Sequence, residues 1–91
     1  MIIRAFKIEP QIAIKIFSKH NVDQEEIYDV LKNNDPQFRR VGGNQYVAIG
    51  KSRSRYVTIF FTYDPEVKEA EITTAYGSDK KQIKWCRKVK K

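Results

Sequence analysis

Ninety-one residues, 18 of them basic and 11 acidic for a formal charge of +7, leave room for one small core under one sheet and little for an enclosed small-molecule cavity. No apolar run approaches the roughly 20 residues that span a bilayer, and the amino end lacks the pattern of a secretory signal, so no membrane role is expected. The lone cysteine, Cys86, has no partner for an internal disulfide or a metal site, which makes a reducing cytoplasm the expected setting and neither a metal nor a cofactor an expected component.

The chain opens on a short extended stretch, Ile2 to Ile8, and then reads as helix from Pro10 to His20. Pro10 suits a first helical position, where its missing N–H would have no intrahelical partner, and Glu9 favours the positive end of the helix. Ile12, Ala13, Ile16 and Phe17 recur at three- and four-residue spacing and predict one apolar face, with Ile14 off the stripe. Lys19-His20-Asn21-Val22 joins this helix to a second. There Asp23 and Glu26 have the spacing of a capping box, Ile27, Val30 and Leu31 supply the apolar stripe, and Asn33-Asn34-Asp35-Pro36 ends it.

From residue 37 the pattern changes to β-branched and aromatic runs: Phe38 to Val41, Gln45 to Gly50, Arg55 to Tyr63 and Ala70 to Tyr76. Gly42-Gly43-Asn44, Ser52-Arg53-Ser54 and Asp64-Pro65-Glu66 separate them and are short enough for hairpins, which predicts an antiparallel meander. Asp79 to Lys91 returns to helix formers, with Ile83 and Cys86 on one side. The expected architecture is α+β: two N-terminal helices packed on a small, mainly antiparallel sheet, then a basic C-terminal helix. Residues 1–91 are read as a single domain in which 80–91 is a basic segment.

That segment carries seven of the 18 basic side chains and none of the acidic ones, while the remainder is balanced. Such a run is drawn to phosphate backbones by counterion release, or to an acidic protein surface, or is simply a solvated helix end. A second basic group, Arg39, Arg40, Lys51, Arg53 and Arg55, shares the strands with Tyr46, Tyr56 and Tyr76. Guanidinium groups beside aromatic faces are what single-stranded RNA recognition uses, although half-buried tyrosines among solvated arginines are also ordinary strand composition. His20, the only histidine, is a natural proton shuttle by residue type. At a helix carboxyl end, however, an imidazole commonly caps carbonyls and meets the dipole, and that structural role is weighed ahead.

Phe6-Lys7-Ile8-Glu9-Pro10, followed at matching spacing by Lys19-His20-Asn21-Val22 and Glu25-Glu26, resembles the opening of BrnT-type toxins, whose pattern is approximately F-x-W-D-P, a helix, K-H-G-V and F-x-E-A. Tyr46-Val47-Ala48-Ile49-Gly50 resembles that family's aromatic-aliphatic strand ending in glycine, and Ser54-Arg55-Tyr56 before Val57 to Phe61 resembles its G-R-x-hydrophobic strand. Glu71 to Ala75 and Lys80-Lys81 occupy the place of its last strand and closing helix. The resemblance implies the RelE-like fold, with helices on one face of the sheet, and the role of toxin in a toxin–antitoxin pair. It also implies metal-independent RNA cleavage by 2′-OH attack, with RNA and a cognate antitoxin as partners and a homo-oligomer within their complex left open. On it, Arg55 matches the family's G-R position and is the expected phosphate-stabilising group, and Tyr76 can take the proton-transfer role that tyrosines fill in RelE-like enzymes, although a half-buried strand residue is weighed ahead. His20, by residue type, is the other proton-transfer candidate, and Arg39, Arg40, Tyr46, Arg53, Lys80 and Lys81, from the basic and aromatic pattern, are the candidate RNA contacts. The chain departs from the pattern at Asn44 and Gln45, where the family often has an acid and an arginine, and at Glu71 and Tyr76, where it has two arginines. These changes define the alternative: a catalytically silent member of the fold that binds protein or RNA.

Overall fold

The computed structural model describes residues 3–33, 36–52 and 55–89. In chain order the elements are β1 (Ala5–Lys7), α1 (Pro10–His20), α2 (Gln24–Asn33), β2 (Gln37–Gly42), β3 (Gln45–Lys51), β4 (Tyr56–Asp64), β5 (Glu69–Gly77) and α3 (Lys80–Val89). The strands make one sheet in the order β1-β5-β4-β3-β2. From β2 to β5 it is the antiparallel meander that the turn residues predict, whereas β1 pairs in parallel with β5, so the sheet is mixed. Parallel neighbours need a long crossover, and everything from α1 to β4 supplies it.

Pro10 opens α1 as expected, after an extended Glu9. Asn21, in the left-handed conformation at φ 55°, ends it by donating its N–H to the Phe17 carbonyl at 3.0 Å. The buried side of α1 is narrower than its apolar spacing suggests: Ile16 is buried and Ile12 packs against the core, but Phe17 is 55% exposed and Ile14 67%. α1 lies along β5, and Ile12, Ile16 and His20, spaced by four, border that strand, with His20 itself exposed. In α2 the expected stripe holds, with Ile27, Val30 and Leu31 all buried.

Residues paired across a ladder share a face. Ala48 pairs with Ile59 and Ile59 with Ala75, and this face, with Val57, Phe61, Ala70 and Ile72, meets Ile16, Val22 and the α2 stripe to form the main core. Gly50 permits the closest approach in it: a Cβ there would stand 2.9 Å from both Val30 Cγ1 and Pro36 Cβ. On the opposite face Val47, Ile49, Tyr56 and Phe60 pack against α3 through Cys86 and Trp85, and the buried Cys86 Sγ donates to the Ile49 carbonyl at 3.3 Å. The helices therefore occupy both faces, not one. The side of α3 that meets the sheet is Gln82, Trp85 and Cys86, while Ile83 turns outward beside Lys80, Lys84 and Arg87.

One irregularity sets the faces of β5. Phe61 pairs with Ile72 but Phe60 pairs with Thr74, which makes Thr73 an extra residue in the ladder. Its hydroxyl donates to the Phe60 carbonyl at 3.1 Å. Ala70 and Ile72 before this bulge, and Ala75 after it, all face the main core, while Tyr76, opposite Thr58, faces the α3 side.

Candidate nucleic-acid interface

The α3 side of the sheet is held together by polar contacts as well as by apolar ones. Asp79 and Gln82 form a complete capping box: the Gln82 N–H donates to Asp79 Oδ1 at 2.8 Å and the Asp79 N–H to Gln82 Oε1 at 3.0 Å. The same Oε1 accepts from the Thr58 hydroxyl at 2.9 Å, and Thr58 shares a 2.7 Å contact with the Ser78 hydroxyl. Gln82 Nε2 donates to the Tyr76 hydroxyl oxygen at 3.0 Å. The start of α3 is thus fixed to β4 and β5 by one amide, and the fully buried Thr58 hydroxyl is satisfied. Because the phenolic oxygen of Tyr76 accepts from Gln82, its own proton is directed elsewhere.

Tyr76 connects two parts of this surface. Its ring lies 5.8 Å from the imidazole of His20, centroid to centroid, and 6.0 Å from the ring of Phe60. His20 reaches it because β1 covers only Glu69 to Glu71 of β5, leaving α1 to lie along the rest. A small hollow of about 140 Å³ between α1 and β5 is lined by Lys15, Lys19, His20, Thr73 and Thr74, among others. On the other side of Tyr76, Phe60 enters the wall of a shallow cleft of about 390 Å³ between α3 and the β2–β3 side of the sheet. Trp85, Val47 and Ile49 line it with apolar groups, Arg39, Lys81 and Gln82 with polar and cationic ones, and Arg40, which pairs with Tyr46 and so alternates to the other face, stands at its edge. The two hollows flank the His20–Tyr76 pair and both carry basic side chains.

The residues expected from the sequence divide accordingly. His20 and Tyr76 come together, and Arg39, Arg40 and Lys81 border the cleft, although Arg40 also donates from Nε to the Gly43 carbonyl at 2.9 Å. The capping of α1 belongs to the Asn21 backbone, not to the imidazole. Tyr46 stands on the other face, stacked 5.9 Å from Phe61 and edge-on to Tyr63. Lys80 is on the outward side of α3, and Arg53 lies outside the described residues. Gln82, Trp85 and Phe60 were not picked as site residues from the sequence; the Asp-x-x-Gln spacing before α3 was the available signal for Gln82.

Arg55 is engaged elsewhere. Its Nε and Nη2 donate to the two Glu26 carboxylate oxygens at 2.9 and 2.7 Å, and Nη2 also donates to the Asn21 carbonyl at 2.7 Å. The Ser52 hydroxyl donates to Glu26 Oε2 at 2.7 Å, and the Ser52 N–H to the Arg55 carbonyl at 2.7 Å. Glu26 therefore turns its carboxylate to Arg55 and Ser52, while Asp23 makes the half of the expected capping box that accepts the Glu26 N–H, at 2.8 Å. The Arg55 hydrogen bonds hold the Glu26 carboxyl below its ordinary range against the opposing effect of burial, with Ser52 adding to them, and Glu26 in turn raises Arg55. Nη1 is the Arg55 nitrogen left outside these bonds.

A larger cleft, about 520 Å³, lies at the far end of the β4–β5 ladder from the start of α3, lined by Asp64, Glu66, Glu69 and Glu71 together with Lys7. Its acidic lining has the wrong sign to attract a polyanion. Among the described residues no helix is long and apolar enough to cross a membrane.

No family model matches the sequence, and no curated protein matches it. Among solved structures, the crystal structure of the Brucella abortus ribonuclease toxin BrnT is similar to this chain with a TM-score of 0.68 at 10% sequence identity, over 84% of this chain and 97% of that one. The chain thus has the fold of a BrnT toxin, the fold that its short sequence motifs imply.

Proposed function

We propose that this chain is a toxin-type ribonuclease that takes single-stranded RNA across the α3 side of its sheet. The observation that carries the reading is the meeting of His20 and Tyr76 between two hollows lined with basic side chains, on a fold shared with a ribonuclease toxin. Lys15 and Lys19 on one side and Arg39 and Lys81 on the other would hold successive phosphates. Phe60 and Trp85 offer rings on which an unpaired base stacks.

Cleavage needs no deep pocket. The 2′-OH gives its proton to the His20 imidazole as its oxygen bonds to phosphorus, the P–O5′ bond breaks, and the leaving 5′ oxygen takes the phenolic proton of Tyr76. The products are a 2′,3′-cyclic phosphate and a 5′-OH. Gln82 keeps the Tyr76 hydroxyl turned to the reacting group by donating to its oxygen. Under this reading the charge on phosphate is met by Lys81 and Arg39. A cognate antitoxin that covers the basic face in a reducing cytoplasm belongs to the same proposal.

A second reading, RNA binding without cleavage, is favoured by one observation: Arg55, the cation at the family's G-R position, is bound to Glu26. Incubating the purified protein with a mixed RNA pool in EDTA, beside Tyr76→Phe and His20→Ala, separates the two. Cutting that leaves cyclic-phosphate ends and is lost in both variants supports the toxin reading. Intact RNA that is nevertheless retained by the protein, on its own and with translating ribosomes, supports binding alone.

A further inference from the structure

The sequence puts His20 at the last position of a helix, where side chains ordinarily fray. Here the helix end is fastened from outside. Arg55 Nη2 donates at 2.7 Å to the carbonyl of Asn21, the residue that follows His20 and reverses the chain. The guanidinium is itself immobilised by both oxygens of Glu26, in the first turn of α2, and Glu26 is held by Ser52 at the end of β3. The Glu26 side chain is only 18% exposed and that of Arg55 37%, so these bonds lie partly out of water, where a planar two-nitrogen fork keeps its geometry.

We infer that the Glu26–Arg55 pair is the positioning device of the His20–Tyr76 site: it fixes the Asn21 backbone and thereby holds the imidazole against the phenol. Arg55 acts through another residue and is a positioning residue, not a catalytic one. A lysine at this place keeps the charge but cannot reach two carboxylate oxygens and a carbonyl from one planar group. The inference assigns a role to a residue that motif resemblance alone would place on the phosphate. For its consequence in catalysis it rests on the ribonuclease reading above.

The chain has a single histidine, so its imidazole proton signals in an NMR spectrum are unambiguous. In the parent protein a cross-peak between the His20 imidazole and the Tyr76 ring is expected, and Tyr76→Phe retains it. In Arg55→Lys and Glu26→Gln the cross-peak weakens or vanishes and the His20 signals lose the ring-current shift that the Tyr76 ring imposes, while the amide spectrum stays dispersed. Should Glu26→Gln fail to fold, Ser52→Ala, which removes one bond of the network, and Arg55→Lys carry the test. RNA cleavage by the same proteins adds a second readout: a loss of about 100-fold in kcat with little change in KM is expected of a displaced reacting group. An unchanged His20–Tyr76 cross-peak in folded Arg55→Lys overturns the inference. If the parent does not cut RNA at all, the ribonuclease reading falls, and the cross-peak still decides whether the pair positions His20.

Discussion

The two faces of the sheet are built on different principles. Under α1 and α2 the contact is mainly apolar, from Ile16 and Val30 to Phe61 and Ile72, with the Glu26–Arg55–Ser52 bonds at its edge, and its packing is close enough that Gly50 has no room for a methyl group. Beneath α3 the apolar patch is small, and Gln82, Thr58, Ser78 and Tyr76 tie helix to sheet through hydrogen bonds. Burial of aliphatic surface gives stability without direction, whereas the polar network gives little net stability but fixes where each oxygen and nitrogen stands. The division leaves so short a chain with one face that chiefly holds the fold and another free for specific contacts.

The widest separation of the two faces is expected from Phe61→Ala. It empties a fully buried position in the main core and should cost about 3–5 kcal/mol in urea or thermal unfolding. Tyr76→Phe should do the reverse, lowering RNA cleavage by about 100-fold while changing stability by no more than about 1 kcal/mol. A variant that lost both together would show that the α3 face also carries the fold.

Glu26→Gln should cost about 1–2 kcal/mol, the screened worth of a charge-assisted pair whose arginine is partly exposed. The folded state lowers the Glu26 carboxyl, chiefly through the Arg55 hydrogen bonds, so its contribution is complete above the ordinary carboxylate range and is lost as pH falls through the lowered folded value. Melting temperatures of parent and Glu26→Gln should therefore differ at neutral pH and converge in acid. The smallest effect belongs to a single cation of the cleft: Lys81→Ala should reduce the slope of log affinity for single-stranded RNA against log salt by about 0.7, in a titration from low to moderate salt.

Local patterns carried the sequence analysis well. Pro10, the α2 stripe and the Gly-, Ser- and Pro-bearing turns act within a few residues of themselves, and the helices and meander they announce are present. What was not legible depends on distant partners. The three residues of β1 have a parallel neighbour more than sixty positions away, and nothing in Ala5 to Lys7 specifies it. Phe17 has the periodicity of a core residue and stays exposed, since the line of α1 that faces β5 is set by the sheet. Arg55 looked like a free cation because Glu26 is 29 residues upstream, and Tyr46 groups in sequence with all the strand cations, although its register pairs it with Arg40 and sets it on the face opposite Arg39. The meeting of His20 with Tyr76 follows from the shortness of β1, which no single motif records.

Thr73 shows how far such a site can hang on arithmetic alone. Along a strand, up and down alternate with every residue, and one supernumerary residue reverses the parity of all that follow. Were Thr73 paired with Phe60 in regular register, Tyr76 would stand opposite Val57, pointing into the hydrocarbon interior, and Ala75 would take its place on the α3 side. The identity of the tyrosine is then less decisive than the point along β5 at which the extra residue is absorbed. A bulge placed beyond Tyr76 would present an unlike surface from the same letters.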